Sequence, residues 1–196
     1  MLAQRLASFV RRDIALGDRR PAAVAVTVCR DGDGAALIVT RRSASLRAHS
    51  RQWALPGGRM DPGESSAASA LRELQEEVAL ESGDEQVLGL LDDYATRSGY
   101  RITPVVVWSD RDWRQLRANP AEVDYIRPFP FRELARSDSP VLQHGAPGEQ
   151  PVLSMHFFAD RIFAPTGAVL YQFREVALFG RRTRVAHFDQ PRFAWR

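Results

Sequence analysis

The stretch LPGGRMDPGESSAASALRELQEEVAL, residues 55–80, decides how the rest of the chain is interpreted. A glycine-rich loop comes first, and the residues after it have helical periodicity, so we predict a helix over residues 65–79. At about 100° per residue, one stripe of this helix is apolar. Three acidic side chains fall together on another side: Glu73, Glu76 and Glu77. Because like charges this close repel each other, the helix either exposes a solvated acidic face or presents these carboxylates to a cation.

The residues around the acidic cluster suit the cation. Hard divalent cations bind carboxylate oxygens, and Mg²⁺ combines a few of them with water and substrate phosphates. Gly57 and Gly58 allow the backbone to come close to a ligand, so that a carbonyl can join the coordination shell. Arg72 and Glu76 are four residues apart and can form an ion pair that orients the glutamate.

The spacing of loop and helix resembles a family signature. Gly58 is followed after five residues by Glu64, and after seven more by Arg72-Glu73-Leu74-Gln75-Glu76-Glu77-Val78-Ala79-Leu80. This pattern resembles the signature of the Nudix hydrolases, G-x5-E-x7-R-E-U-x-E-E-x-G-U, in which U is apolar. The one difference is Ala79, where the family has glycine. We expect this difference to affect the turn after the helix more than the chemistry.

The resemblance implies an α/β fold, the Nudix-type α/β/α sandwich with a mixed β-sheet, and hydrolysis of a diphosphate linkage with Mg²⁺ or Mn²⁺. It implies four metal ligands: Glu73, Glu76, Glu77 and the carbonyl of Gly57. Arg72 would join the three glutamates in catalysis by orienting one of them, and Glu64 would be a supporting acid. A glutamate would act as the general base. Glu122 is a candidate for a distant ligand or base, or else a solvated residue at the start of a strand.

Residues 37–58, LIVTRRSASLRAHSRQWALPGG, resemble the additional signature of the coenzyme A pyrophosphatase branch, L-L-T-x-R-[SA]-x3-R-x3-G-x3-F-P-G-G. Arg51 and Leu55 replace the glycine and phenylalanine of that signature. The resemblance implies three substrate-binding residues: Arg42, Arg47 and Gly58. The leading substrate is therefore coenzyme A or an acyl derivative, cleaved to 3′,5′-ADP and 4′-phosphopantetheine.

Two other functions stay open at this stage. One is hydrolysis of another nucleoside diphosphate derivative, such as ADP-ribose or a dinucleotide. The other is a non-catalytic module that binds a nucleotide or RNA, against which stands the presence of every acidic residue of the signature. A formal charge of +3 gives little support for a nucleic-acid partner, particularly since all 27 basic residues are arginine.

The remaining sequence predicts how the chain is organised. Residues 22–30 and 35–41 are predicted to form a β-hairpin. Residues 137–150, rich in proline and glycine, are interpreted as a loop. Residues 166–180 are predicted to form a helix, with Thr166 as its cap and Gly180 as its terminator.

The composition, 44% hydrophobic and 26% charged, is that of a globular domain. We expect one domain over residues 1–196, with an N-terminal helix at 1–20 and a C-terminal tail at 181–196. The amphipathic N-terminus is interpreted as a docked helix, the alternative being a mitochondrial address. Cys29 is the only cysteine, which fits a cytoplasmic protein. We expect a nucleotide partner and no membrane, and a homodimer is compatible with the sequence.

Overall fold

A computed structural model describes residues 1–44, 51–192 and 195 of the chain. Within these residues the strands are β1 Arg20–Asp31, β2 Gly34–Arg42, β3 Trp53–Ala54, β4 Gly57–Arg59, β5 Val87–Leu90, β6 Tyr94–Ala95, β7 Tyr100–Asp112, β8 Val123–Pro130, β9 Val141–Gln143, β10 Val152–Phe157 and β11 Asp160–Phe163. The α-helices are α1 Leu2–Ala7, α2 Ser66–Val78, α3 Phe131–Leu134 and α4 Thr166–Phe173.

A large mixed sheet organises the molecule. Strand β1 lies in its middle, antiparallel to β2 and parallel to β7, and β5 and β3 complete the order β3-β2-β1-β7-β5. Short strands β4 and β6 pair with β1 and β7, and β8 pairs with β2. The predicted hairpin is confirmed, because Asp31 pairs with Gly34 across the turn. A second sheet, β11-β10-β9, is antiparallel.

The two faces of the large sheet are covered differently. Helix α2 packs on one face, where alternate residues of β1, β2 and β7 form an apolar core with Leu74 and Val78. The opposite face is covered by α1, α4 and the second sheet, whose apolar side chains form the larger core. This layered arrangement confirms the predicted α/β sandwich with a mixed sheet.

The N-terminal helix is shorter than the sequence predicted. Helix α1 ends at Ala7, and the chain then runs without regular structure to β1. Two buried carboxylates explain the difference, because Asp92 accepts a hydrogen bond from the Arg12 N–H and Asp93 accepts one from the Ile14 N–H. Backbone donors that a longer helix would use internally are bound to these side chains instead.

Two further predictions are corrected by the structure. Residues 137–150 contain strand β9, which pairs with β10 through Val141, although proline and glycine flank it. The helix at 166–180 begins as predicted but has Pro165 at its N-cap position, with no side-chain cap, so Thr166 is not the cap. After α4 the chain continues as a π-helical turn, Arg174–Leu178, and Gly180 follows with a positive φ of 69°.

Candidate metal centre and substrate cavity

Helix α2 carries the acidic side chains and is fixed by a cap and by its apolar stripe. The Ser65 hydroxyl accepts a hydrogen bond from the backbone N–H three residues later at 3.1 Å. Leu74 and Val78 are fully buried against the sheet. Since Glu73 and Glu77 neighbour this stripe on the helix surface, they are also buried, with 8% and 4% of their surface exposed. The helix therefore holds two carboxylates at the edge of the core.

The end of α2 accommodates the alanine that departs from the family signature. Ala79 lies in the left-handed region, with φ 54° and ψ 36°. Its N–H donates to the Gln75 carbonyl at 3.2 Å, and the Leu80 N–H donates to the Leu74 carbonyl at 3.2 Å. The turn that glycine normally provides is thus made with an alanine in a conformation that costs it free energy.

Strand β4 touches both buried carboxylates, and its two glycines make this possible. A Cβ atom on Gly58 would lie 2.3 Å from Oε1 of Glu73, and one on Gly57 would lie 2.4 Å from the carbonyl oxygen of Ala23 on β1. The Gly57 N–H donates to Oε1 of Glu77 at 3.2 Å. Any larger residue at either position would separate the strand from the acidic helix or from its neighbouring strand.

Glu122 reaches the same place from a distant part of the sequence. The Asn119 N–H donates to the Glu77 carbonyl at 2.9 Å, and the Arg117 N–H donates to the Val78 carbonyl at 3.1 Å. These bonds satisfy the last carbonyls of α2 and dock residues 116–122 on the helix end. Glu122 is thereby placed beside the helix, immediately before β8.

Glu73, Glu77 and Glu122 form a compact carboxylate cluster. One ligand oxygen from each residue lies within 4.8 Å of the others. The pKa of Glu77 is raised to about 7, first by burial and also by the negative charges of Glu73 and Glu122. Burial likewise raises the pKa of Glu73. Three mutually repelling hard oxygen donors fit a divalent cation of the Mg²⁺ or Mn²⁺ type, which would neutralise them.

Glu76 lies outside this cluster in the structure. Half of its side chain is exposed, and it pairs with Arg72 at 3.1 Å. Arg72 also donates to Glu73 at 2.9 Å and, through two nitrogens, to both carboxylate oxygens of Glu64 at 2.9 and 3.1 Å. A further bond to the Arg59 carbonyl ties the guanidinium to β4. Arg72 therefore contacts one cluster member, Glu73, and also pairs with Glu76 as the spacing suggested. Its orienting role and the metal roles of Glu76 and of the Gly57 carbonyl stay predictions.

A cavity of about 970 Å³ opens beside the cluster. Glu73, Glu77, Glu122, Gly57 and Gly58 line one part of it. The segment from Asp160 to Thr166 supplies another wall, so the space lies between the two sheets as well as beside the carboxylate cluster. Its size suits a nucleotide derivative, and its position would place such a ligand against the carboxylates.

Arg42, a predicted substrate-binding residue, lines this cavity, and its positive charge lowers the pKa of Glu77. Its Nε atom is buried and has no hydrogen-bond partner among the described residues. Arg47, the other predicted substrate-binding arginine, lies outside the described residues.

Several cavity arginines were absent from the sequence-based prediction. Arg41 lies on the cavity wall, and its guanidinium carbon is 6.0 Å from the ring centroid of Trp53 and 5.8 Å from that of Tyr125. Arg20, Arg59 and Tyr100 meet at another part of the wall. Arg41 could have been found from the sequence, because it directly precedes Arg42 of the coenzyme A signature. Arg20, Arg59 and Tyr100 are far apart in sequence and are brought together by strand pairing.

Buried carboxylates beside arginines suit metal-assisted cleavage of a phosphate anhydride, and the surrounding fold is that of the Nudix hydrolases. The family model of the NUDIX domain matches residues 18–149, and the chain belongs to this family. Nudix hydrolases act on nucleoside diphosphate derivatives and generally use divalent metal ions. In the described part of the chain, each helix is too short or too polar to cross a bilayer.

The chain is similar to several Nudix proteins. The uncharacterized Nudix hydrolase NudL of Photorhabdus laumondii is 37% identical over 139 residues, which cover 69% of this chain and 74% of the relative. NudL of Citrobacter koseri is 44% identical over 90 residues, which cover 45% of this chain and only 46% of the relative. The solved structure of the Nudix hydrolase RenU from M. smegmatis has a TM-score of 0.54 at 20% identity, covering 82% and 87% of the two chains. This last similarity supports the fold alone.

Proposed function

We propose that the chain is a coenzyme A diphosphatase, which hydrolyses coenzyme A or acyl-coenzyme A to 3′,5′-ADP and the corresponding 4′-phosphopantetheine. The observation that carries the proposal is the number of uncompensated cationic side chains in the cavity. The lining arginines, none of which forms a salt bridge with a residue in the described ranges, are Arg20, Arg41, Arg42, Arg51, Arg59 and Arg161. Coenzyme A carries a phosphate monoester in addition to its diphosphate, so it matches this excess of positive charge better than ADP-ribose does.

The residues divide into two groups in the proposed reaction. Glu73, Glu77 and Glu122 would hold the divalent ion, which when bound supplies charge neutralisation and activation of water. Arg42 would bind a diphosphate oxygen through its planar fork, because it faces the cluster and its Nε atom lacks a protein partner among the described residues. Water attacks one phosphorus atom, the bridging P–O bond breaks, and one of the glutamates accepts the proton of that water.

A substrate panel tests the proposal. The purified chain is assayed with Mg²⁺ and with Mn²⁺ on coenzyme A, acetyl-coenzyme A, ADP-ribose, NADH and diadenosine polyphosphates, and products are separated by chromatography. We expect 3′,5′-ADP to be released from coenzyme A with the highest kcat/KM. Glu77→Gln should lower kcat by at least about 100-fold because it removes a buried ligand and a possible proton acceptor.

Glu81→Gln serves as the matched control, since Glu81 is an exposed glutamate just beyond the same helix. It should keep the wild-type rate, while circular dichroism shows that both variants are folded. Activity on ADP-ribose without activity on coenzyme A would replace the proposed substrate by another nucleoside diphosphate derivative. Wild-type turnover by Glu77→Gln would contradict the metal role of the cluster.

A further inference from the structure

Two arginines flank a tyrosine on the cavity wall, and we call them the Arg20–Tyr100–Arg59 cluster. The Arg20 guanidinium lies over the Tyr100 ring, 4.0 Å from its centroid. The Arg59 Nε–H donates to the Tyr100 hydroxyl at 2.9 Å. All three residues line the cavity that contains the carboxylate cluster. The ring therefore holds two guanidinium groups close together in one wall.

Strand register explains why residues so far apart in sequence meet here. Arg20 pairs with Tyr100 across β1 and β7, and Ala22 of β1 pairs with Arg59 of β4. Paired residues and residues two apart on a strand lie on the same face of a sheet. The cluster therefore projects from the sheet face opposite helix α2, together with the apolar side chains of Ala22 and Ile102 that also line the cavity.

The cluster lies next to the metal centre without belonging to it. Arg59 follows Gly58 on β4, and consecutive strand residues point to opposite faces. Gly58 faces Glu73, within contact distance of its carboxylate. A ligand whose diphosphate lies at the carboxylates can thus extend past the edge of β4 and reach Arg59 on the other face.

The charge of the cluster is held in place but not neutralised. Arg20 donates to the Ser98 carbonyl at 2.9 Å, and Arg59 donates to the tyrosine hydroxyl. Neither arginine forms a salt bridge with an acidic residue in the part of the chain that the structure describes. Both side chains are exposed at the cavity mouth. Oriented guanidinium groups with free N–H donors bind phosphate oxygens well, and a phosphate monoester carries the most charge for such a site.

We propose that the Arg20–Tyr100–Arg59 cluster binds a phosphate monoester on the ribose of the substrate, and so determines specificity for 3′-phosphorylated nucleotides. The inference rests on the proposed coenzyme A diphosphatase function, because coenzyme A carries such a phosphate. Arg20 and Arg59 supply the donors, and Tyr100 fixes their positions. These residues bind one end of the substrate and take no part in breaking the P–O–P bond.

Binding and turnover together test this inference. Isothermal titration calorimetry compares 3′,5′-ADP with 5′-AMP in the wild type, in Arg59→Gln and in Arg20→Gln. In parallel, kcat/KM is measured for coenzyme A and for its 3′-dephospho form. We expect the wild type to prefer the 3′-phosphorylated member of each pair by about tenfold or more. Each variant should lose most of that preference, and the loss should appear as a higher KM for coenzyme A more than as a lower kcat.

Arg127→Gln is the matched control. Arg127 is also an exposed arginine over an aromatic ring, 4.1 Å from the centroid of Phe158, but it does not line the cavity. This variant should keep the wild-type preference. If Arg59→Gln and Arg20→Gln also keep it, the inference is wrong, even where coenzyme A is confirmed as the substrate.

The binding comparison separates this failure from failure of the proposed function. If coenzyme A is not hydrolysed, but 3′,5′-ADP binds more tightly than 5′-AMP and Arg59→Gln removes the difference, the phosphate site stands and the substrate assignment falls. Equal binding of both nucleotides by the wild type would overturn the phosphate site itself.

Discussion

Ala79 is the residue at which this chain departs from the Nudix signature, and the structure shows the cost of that departure. The left-handed backbone at the end of α2 is normally made by glycine, because any Cβ atom there meets the following carbonyl. Glu77, Glu76 and Glu73 lie two, three and six residues before this position. The helix thus keeps the acidic residues of the signature while its terminal turn is less stable than it could be.

Ala79→Gly should therefore raise the free energy of unfolding by about 0.5–1 kcal/mol, measured by urea denaturation. Ala68→Gly is the control, because Ala68 is exposed within the same helix and has ordinary helical geometry. That substitution should lower the free energy of unfolding by about 1 kcal/mol. Equal destabilisation by both substitutions would contradict the left-handed conformation at Ala79.

At this scale the sequence predicted the part of the carboxylate cluster that lies on one helix. Glu73 and Glu77 follow from helical spacing, and both are buried in the cluster. Glu76 belongs to the same acidic group, but its side chain is half exposed and pairs with Arg72. Glu122 was only a candidate, since its approach depends on how residues 116–122 dock on the helix end, which no local pattern records.

Among the structural elements, the N-terminal segment depends on side chains from elsewhere in the chain. Asp93 is fully buried and accepts hydrogen bonds from the Arg11 guanidinium at 2.6 Å, from the Thr103 hydroxyl at 2.7 Å and from the Ile14 N–H at 3.0 Å. This carboxylate connects residues 8–14 to β7. The N-terminal segment predicted a longer helix because its apolar residues recur at helical spacing. The buried acceptors that end the helix early lie far away in the sequence, at Asp92 and Asp93.

Asp93→Asn should destabilise the protein by about 3 kcal/mol, because it leaves the charge of Arg11 without its buried partner. The melting temperature should fall, and limited proteolysis should cleave the N-terminal segment faster. Asp138→Asn is the control: its ion pair with Arg136 has a similar length, 2.7 Å, but is exposed, so little change is expected. An Asp93→Asn protein with wild-type stability would show that the segment is held by apolar contacts alone.

For the whole molecule, the sequence predicted the fold class and the large carboxylate-bearing helix, but not the cavity. The cavity wall depends on the parallel pairing of β1 with β7 and on the second sheet, whose strand β9 lies in a segment interpreted as a loop. Such pairings join residues far apart in sequence. Their register is set by the packed core as a whole, so the Arg20–Tyr100–Arg59 cluster could not be foreseen.

Global stability should depend on pH through the carboxylate cluster. In the folded protein the pKa of Glu77 is raised to about 7 from its usual value of 4.5. The folded state therefore binds more protons than the unfolded state between these values, so without metal the free energy of unfolding should fall as pH rises through this range. A divalent ion needs the ionised carboxylates, so its stabilising effect should grow over the same range.

Melting temperatures measured between about pH 5 and pH 8 test both expectations. Samples with EDTA give the pH dependence of stability without metal, and samples with Mg²⁺ give the pH dependence of stabilisation by the ion. Glu77→Gln should weaken the pH dependence of the melting temperature under both conditions, because the amide does not titrate. Glu81→Gln is the control, since Glu81 is an exposed glutamate just beyond the same helix. If Glu77→Gln keeps the pH dependence seen in EDTA, then Glu77 is not the group responsible.

The docking of residues 116–122 on the end of α2 has a consequence for how an ion would act on the chain. Bound by Glu73, Glu77 and Glu122, an ion would be a reversible cross-link between two segments that are otherwise joined there by backbone hydrogen bonds. It would close a loop comprising residues 77 to 122, which contains β5, β6 and β7. Ion release would then loosen a segment whose strand β7 lines the cavity through Tyr100 and Ile102, so occupancy of the ion site would be thermodynamically linked to the shape of the cavity.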